Sequence, residues 1–340
     1  MPFSPAATRS LGIALGVAAD LALGDPRRLH PVAGFGRVAL ALERRLYRDE
    51  IRRGAAFAAL AVGGPVAFGI ALERTGRRRP VLHTLLTAAA TWSVLGGTSL
   101  AREGSAMARA LEAGDLAAAR SRLSNLCARD PAGMDSDSLA RATVESLAEN
   151  ASDAVVAPLL WGAVAGLPGL LGYRAANTLD AMVGYTSPRY LRFGRVAARF
   201  DDLVNLVPAR VAGGLIALSA ATVGGSPAQA WRVLRLDGGR HPSPNAGRPE
   251  AATAGALGVR LGGENVYAGH TERRPVMGAG RIPNVGDVRR AVRLGRVTAL
   301  AAAGIAVGLA AATGARRNGN GTATTATLVP TAERRGDEIG

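Results

Sequence analysis

Residues 54–72 read GAAFAALAVGGPVAFGIAL, a run of 19 residues without a charged side chain. Charged residues flank the run on both sides, and an α-helix needs about 20 apolar residues to cross the hydrocarbon core of a bilayer. The run therefore predicts a membrane-spanning helix. A second uncharged run occupies 81–101, and the short connection over 73–80 predicts that the two runs form a helical hairpin.

Further apolar runs repeat this pattern along the chain. They occupy 10–24, 154–173, 203–224 and 297–313. Asp20 interrupts the first run and is unfavourable in a cleavable signal peptide, which is the alternative interpretation of that segment. Residues 102–150 show the mixed polar and apolar period of amphipathic helices, and residues 226–295 form a long polar segment. We predict an all-α, polytopic membrane helical bundle with about five spans, amphipathic helices and long polar loops.

The charge balance of the chain limits the kinds of partner that it is expected to bind. The chain has a formal net charge of +15, and all 41 basic residues are Arg. Without Lys, a Walker-type phosphate loop is excluded. Nucleic acid is not an expected partner, because aromatic residues make up only 4% and no zinc-finger spacing occurs. The anionic head groups of a lipid bilayer are a better match than nucleic acid for the excess of Arg beside apolar runs. We expect a single membrane-embedded domain over 1–315 and a disordered tail over 316–340.

Two acidic motifs precede the central apolar runs. Prolines stiffen the loop that holds Asp25 and His30, so that these side chains can face one another, although a helix-capping turn explains the same residues. Glu145, Glu149 and Asp153 are spaced four residues apart and share one face of a helix. Their repulsion would be relieved by a cation or a cationic substrate group, or structurally by Arg141. The alternative is an exposed charged face.

Polar residues also accompany the later apolar runs. Asn177 and Asp180 share a helical face with Gly184, which permits close approach of a ligand or a helix. A further polar group at the start of 203–224 comprises Asp201, Asp202, Asn205 and Arg210.

Charged side chains at membrane depth cost about 2.5–3.5 kcal/mol each, so this further group favours a functional interpretation. The structural alternative is an internal pair between Asp202 and Arg210. Pro208 removes one helical hydrogen bond and leaves the Val204 carbonyl available. Residues 240–250, RHPSPNAGRPE, form a stiff polar loop whose N–H groups and Arg suit an anion such as phosphate, or else form an ordinary connector.

These stretches, in this order, resemble one known family. The first are Gly24-Asp25-Pro26, His30-Pro31-Val32 and the segment 145–150. The later ones are the sequences YR at 173–174, NTLD at 177–180 and MVGY at 182–185, then the segment 201–210 and the sequence SPNAG at 243–247. Together they are similar to adenosylcobinamide-phosphate synthase, over about 16–280. The resemblance implies a multi-pass enzyme of the cell membrane. It joins the free propionate carboxylate of (adenosyl)cobyric acid to (R)-1-amino-2-propanol or its O-phosphate, forming (adenosyl)cobinamide or its phosphate.

The resemblance also implies an ATP-dependent ligase, with ATP as co-substrate, Mg²⁺ as metal and no tightly bound cofactor. The partners would be the corrinoid and aminopropanol substrates and other enzymes of late corrinoid assembly. We assign Mg²⁺ to Asp201 and Asp202. Candidate catalytic residues are Glu145, Glu149, Asp153, Asp180, Asp201, Asp202 and His30. Candidate substrate-binding residues are Asp25, Arg174, Asn177, Asn205, Arg210, His241, Ser243, Asn245 and Gly247.

Strict alternation of spans would separate these motifs, because 174–202 would lie opposite the other loops. The prolines within 154–173 and 203–224 favour re-entrant or buried half-spans instead, whose polar ends meet the loops at one face. The runs 54–72, 81–101 and 297–313 then remain as membrane anchors. The Arg-rich polar segments predict that the active face is cytoplasmic. Two other classes fit the pattern: a transporter of corrinoids, and a non-catalytic membrane scaffold for corrinoid intermediates.

Overall fold

The computed structural model describes residues 4–25, 30–267 and 270–319, and these contain twelve α-helices and one pair of antiparallel strands. The first six helices are α1 (Pro5–Leu23), α2 (Pro31–Leu46), α3 (Ile51–Gly76), α4 (Pro80–Val94), α5 (Gly97–Glu112) and α6 (Leu116–Leu123). The others are α7 (Ser136–Ala151), α8 (Ala157–Val183), α9 (Arg195–Ser219), α10 (Pro227–Asp237), α11 (Gly247–Leu257) and α12 (Val285–Gly319). A π-helical segment (Ser152–Val156) joins α7 to α8, a 3₁₀ turn (Ala220–Val223) follows α9, and β1 (Leu261–Tyr267) pairs with β2 (His270–Met277).

Five helical segments of the described chain are long and apolar enough to cross a membrane. They are Pro5–Leu23, Ile51–Gly76, Ser136–Val183, Arg195–Val223 and Val285–Thr313. The predicted all-α polytopic bundle is therefore confirmed. The predicted turn between the first two long uncharged runs is also present, since only residues 77–79 separate α3 from α4.

The predicted single span over 81–101 is wrong. α4 has 15 residues, and Leu95 then adopts an extended backbone with φ −74° and ψ 145°. The Gly96 N–H donates to the carbonyl of Ala154 at 3.1 Å. Pro158 leaves that carbonyl available, because proline has no N–H for the usual helical bond. A tertiary hydrogen bond thus replaces a helical one, and α5 begins as a separate helix.

α1 packs closely on α4 through small residues. A Cβ added at Gly12 would lie 2.5 Å from the Cβ of Thr87, and one at Gly16 would lie 2.4 Å from that of Thr91. Membrane helices use small residues four apart for such close approach. The segment that Asp20 interrupts is therefore a packed helix of the bundle.

α8 folds back on itself at Gly166, whose φ of 67° and ψ of −148° are not helical. A Cβ added at Gly162 would lie 2.8 Å from the Leu170 side chain. The Tyr173 hydroxyl donates to the carbonyl of Asp153 at 3.1 Å, although a straight helix would separate these residues by about 30 Å. Two helical arms on either side of Gly166 therefore form a hairpin, as the half-span predicted for 154–173 requires.

The second predicted half-span, 203–224, instead comprises most of the continuous helix α9 and the 3₁₀ turn that follows it. Pro208 interrupts the hydrogen bonding of α9 without ending it. As predicted, Pro208 leaves the Val204 carbonyl available, and the Trp161 Nε1–H donates to this carbonyl at 3.0 Å. The bond ties the first arm of α8 to α9.

A buried polar network surrounds the reversal of α8. Glu73, at the end of α3, accepts the backbone N–H of Leu167 at 3.2 Å. Its other oxygen lies 2.9 Å from the Arg9 guanidinium and 3.2 Å from the His83 ring. His83 continues to Thr8 at 2.7 Å. The network satisfies the backbone group that the reversal exposes and links α1, α3, α4 and α8.

The polar segments form a second layer against one end of the bundle. Its core combines α5, α6, α7, α10, α11 and the start of α12. The amphipathic helices predicted over 102–150 are present, with a break between α6 and α7 that includes Asp130-Pro131. The β1–β2 hairpin within 226–295 was not expected from the sequence. Most of the predicted tail 316–340 lies outside the described residues, and its first four residues continue α12.

Candidate active site

Four carboxylates from four consecutive elements converge beside the α8 hairpin. Asp153 lies in the π-helical segment, Asp180 on the second arm of α8, and Asp201 on α9; each pair is close enough to repel. Glu149, one turn before Asp153, interacts with both Asp153 and Asp180. None of the four is exposed. The structure therefore brings together acids that lie up to 52 positions apart in the sequence.

The π-helical segment places Asp153 where two backbone carbonyls are free for tertiary contacts. π-Helical turns are frequent at functional sites because they change the register of a helix. Pro158 follows the segment and cannot donate to the preceding turn. The Asp153 carbonyl accepts from Tyr173, and the Ala154 carbonyl accepts from Gly96. The acidic segment is thus fixed by both neighbouring elements.

A chain of hydrogen bonds orients Asp201. The Tyr173 hydroxyl lies 2.9 Å from Asn205 Oδ1, and Asn205 Nδ2 donates to Asp201 Oδ2 at 3.0 Å. Asp201 is 9% exposed, and its other oxygen, Oδ1, makes no hydrogen bond of normal geometry to the described residues, although the Asn177 side chain lies close enough to interact with this carboxylate. A buried carboxylate oxygen normally has a partner. Asp201 Oδ1 is therefore available to a ligand.

The cluster also receives a basic side chain and the first acidic loop. Arg174, on the second arm of α8, interacts with Asp153 and with Asp25, which follows α1. Its Nη1 lies 3.5 Å from Asn177 Oδ1. The His30 ring lies 3.8 Å from Asp25 Oδ2, as predicted for two side chains that face one another. Residues 26–29 of this motif lie outside the described residues.

The 240–250 loop reaches the same site through Asn245, whose Nδ2 donates to the Asp202 carbonyl at 2.7 Å. Within the loop, His241 Nδ1 accepts the Ser243 N–H at 3.0 Å. Ser243 Oγ accepts the N–H groups of Asn245 and Ala246. His241 Nε2 and Asn245 Oδ1 are buried without partners among the described residues. A Cβ at Gly247 would lie 2.5 Å from the His241 Cβ, so Gly247 allows the loop to close.

Burial shifts the pKa values of two groups of this loop in the direction that favours their uncharged forms. It lowers the pKa of His241, with Arg274 acting in the same direction. Burial also raises the pKa of Glu250 well above its ordinary value, helped by repulsion from Glu145 and Glu149. Both Glu250 oxygens are buried without hydrogen-bond partners among the described residues. The loop therefore presents buried polar atoms without partners among the described residues next to the acidic cluster.

Two predicted site residues have other surroundings. Glu145 is 1% exposed and forms an ion pair with Arg129, and it accepts the Gly262 N–H at 2.6 Å. It thus anchors β1 to α7. Arg210 is exposed on α9 and donates to the Leu206 carbonyl at 2.6 Å, and no ion pair of the described residues joins it to Asp202. The structural alternative of an Asp202–Arg210 pair is therefore wrong.

Mg²⁺ usually takes one or two carboxylates and fills its shell with water and substrate phosphates. Asp201, with one unpartnered oxygen, fits such a role. Asp202 is the next residue on the helix, so its side chain diverges by about 100°. Asp180 interacts with both. No three Asp, Glu, His or Cys side chains converge on a metal position in the part of the chain that the structure describes.

Two residues of the site and one buried residue of β1 were not assigned from the sequence. In the sequence, Tyr173 was quoted only as the neighbour of Arg174, because the contacts of its hydroxyl form only when α8 reverses. Glu250 is the last residue of the 240–250 loop, and the sequence around it does not indicate that it is buried. Asn265, on β1, is 1% exposed with both side-chain polar atoms unpartnered among described residues. Its position depends on a hairpin that the sequence did not predict.

Comparison with known proteins shows which family the chain is similar to. The family model described as CobD/Cbib protein matches residues 13–295. A protein of Mycobacterium tuberculosis is 53% identical over 301 residues, which cover 88% of this chain and 95% of that protein. Relatives from Geobacter metallireducens and Rhodobacter capsulatus are 46% identical over 265 residues (76% of this chain, 83% of the relative) and 41% over 311 residues (88% and 96%). Each of the three is named "Cobalamin biosynthesis protein CobD". No solved structure matches the chain.

Proposed function

This chain belongs to the CobD/Cbib protein family and has a role in cobalamin biosynthesis, and from that premise we propose the reaction that it catalyses. The proposed reaction joins the free propionate carboxylate of (adenosyl)cobyric acid to the amine of (R)-1-amino-2-propanol or its O-phosphate. The product is (adenosyl)cobinamide or its phosphate. We further propose that ATP drives the reaction and that it occurs at the cytoplasmic face of the cell membrane.

The observation that carries the proposal is the cluster of Glu149, Asp153, Asp180 and Asp201, none of which is exposed. A cluster of carboxylates is stabilised by a cationic group, and both aminopropanol substrates carry an ammonium. That ammonium must lose a proton before nitrogen can attack a carbonyl carbon. A carboxylate within hydrogen-bond reach can accept the proton. We assign this role to Asp201, because Asn205 holds one of its oxygens and the other is available.

Amide formation also needs an activated carboxyl group. An oxygen of the propionate attacks the γ-phosphorus of ATP, which forms an acyl phosphate and releases ADP. The amine then attacks the acyl carbon, inorganic phosphate leaves, and the amide remains. Mg²⁺, held by Asp180 or Asp202 next to Asp201, would neutralise phosphate charge in this reaction.

Other residues of the site would position the substrates. Arg174 is the basic group of the cluster and suits the propionate or a phosphate. Asn177, Asn245 and neutral His241 offer hydrogen bonds of the kind that the amide side chains of a corrin ring require. Arg210 is exposed and donates to the Leu206 carbonyl, so we assign no phosphate to it.

To test the proposal, purified protein in lipid nanodiscs is incubated with cobyric acid, Mg-ATP and either aminopropanol or its phosphate. The product is then identified by mass spectrometry. A new amide with stoichiometric ADP supports the proposal. Uptake of corrinoid into sealed vesicles without an amide would favour a transporter. Neither activity in a folded sample would favour a scaffold that gathers other corrinoid enzymes.

Matched variants connect the reaction to the cluster. Asp201→Asn should lower turnover by roughly 10²–10⁴-fold, the usual contribution of a general base. Glu149→Gln tests the adjacent carboxylate. Asp137→Asn changes the same charge on the exposed start of α7 and should retain turnover. Full turnover by Asp201→Asn in folded protein would remove the role of proton acceptor assigned to Asp201.

A further inference from the structure

A cavity of about 330 Å³, which is separate from the acidic cluster, lies between α1, α5, α7 and α12. Aliphatic side chains such as Leu95, Leu147 and Val155 form most of its wall. Leu21 on α1 and Leu300 on α12 also line it, and they are 56% and 55% exposed. Both helices are candidate membrane spans, so the cavity opens between them toward the hydrocarbon of the bilayer. None of the four clustered carboxylates lines it.

One end of this cavity is polar. Asp20, Arg102 and Arg296 line it there. Asp20 is only 5% exposed, and its Oδ2 accepts the backbone N–H and the hydroxyl of Thr98 at 3.2 and 3.0 Å. Its Oδ1 is buried without a hydrogen-bond partner among the described residues. Neither guanidinium hydrogen-bonds to a described residue, and both are exposed.

We propose that this cavity binds one molecule of phosphatidylglycerol. An acyl chain fills the aliphatic part and leaves between Leu21 and Leu300, where the bilayer continues. The lipid phosphate lies between Arg102 and Arg296, since guanidinium groups bind phosphate well. A glycerol hydroxyl of the head group donates to Asp20 Oδ1, the buried oxygen that has no partner.

Charge and size select this occupant. One Asp and two Arg give the polar end a formal charge of +1, which a lipid with a single negative charge neutralises. Phosphatidylcholine has no net charge and no hydroxyl or N–H to donate to Asp20. The cavity is at the small end of the range for ligand pockets, about 300–1,000 Å³, and suits an acyl chain better than a second corrin ring.

The experiment is native mass spectrometry of the full-length protein, released from nanodiscs of equal parts phosphatidylglycerol and phosphatidylcholine with the same acyl chains. The wild-type protein should retain one phosphatidylglycerol after detergent washing. Gly295→Leu should lower this retention at least about tenfold, because Gly295 lines the cavity and a Cβ there meets no atom within 4 Å, so the new side chain occupies the cavity without a clash. Gly304→Leu is the matched control, on the same helix with equally open space but outside the cavity lining.

A second pair of variants tests the head-group contacts. Arg102→Gln combined with Arg296→Gln should remove the preference for phosphatidylglycerol, whereas Arg293→Gln, an exposed arginine on α12 outside the cavity, should keep it. Equal retention of the two lipids by the wild-type protein would overturn the proposal. Retention that Gly295→Leu leaves unchanged, in protein that unfolds at the wild-type temperature, would overturn it as well.

Discussion

Neutralising Glu73 should destabilise the protein far more than neutralising a surface acid. Its side chain is 11% exposed and that of Arg9 is 16% exposed, and their nitrogen and oxygen atoms lie 2.9 Å apart. Glu73 also contacts His83 at 3.2 Å and accepts the Leu167 N–H at 3.2 Å. Removing one partner of a buried pair leaves an uncompensated charge and costs about 3–5 kcal/mol. Glu73→Gln should therefore lower the unfolding temperature by about 6–10 °C, at roughly 2 °C per kcal/mol for a chain of this length.

The assay is thermal unfolding followed by tryptophan fluorescence, with every variant in the same lipid nanodiscs. Glu264→Gln is the control, because Glu264 pairs with Arg273 at the surface, where the two side chains are 60% and 84% exposed, and such pairs contribute about 0–1 kcal/mol. Arg9→Met combined with Glu73→Gln removes both charges and should be more stable than Glu73→Gln alone. The reasoning is refuted if Glu73→Gln costs no more than the control, or if the double variant loses stability equal to the sum of the single variants.

Three further predictions concern the helix reversal and the polar loop. Trp161→Phe should cost about 1–3 kcal/mol, because it leaves the carbonyl freed by the proline of α9 unpaired; Trp231→Phe, exposed and without that bond, should cost little in the same unfolding assay. Gly166→Ala should cost about 1–3 kcal/mol, since φ is 67° there and a Cβ would meet the Glu73 carboxylate at 2.7 Å; Gly63→Ala, with open space, is its control. Burial raises the pKa of Glu250, so its stabilising effect is complete below pH 4.5 and is lost as pH rises through the folded-state pKa. Glu250→Gln should therefore gain stability relative to wild type between pH 5 and 8, and a constant difference would contradict this.

The apolar runs predicted most of the bundle because composition alone sets whether a helix suits a bilayer. The run 81–101 shows the limit of that signal. Its residues are uniformly uncharged, yet the helix ends where Gly96 bonds to Ala154. That bond depends on Pro158, which is distant in the sequence, and no local pattern around 95 records it. Such a break can be predicted only once the packing of the two segments is known.

The candidate site was predicted in part, and what was missed has a common cause. The acids at 149, 153, 180 and 201 were recognisable because charged residues beside apolar runs are costly unless they have a function. Glu145 fitted the same pattern, but it is committed to Arg129 and the Gly262 N–H. The spacing of acids shows that they share a helix face, and it does not show which partners the rest of the chain brings to that face.

The reversal of α8 resolves the topological difficulty that the sequence raised. With straight spans, Asp180 would be about 40 Å from Asp153 and on the other side of the membrane. Asp153 lies 13 residues before Gly166 and Asp180 lies 14 residues after it, so each is about 20 Å from the bend at a rise of about 1.5 Å per residue. The two acids therefore return to a similar depth, where they interact with each other. Because Asp25 and the Ser243 loop reach the same end of the bundle through Arg174 and the Asp202 carbonyl, one site can use motifs that strict alternation of spans would have separated.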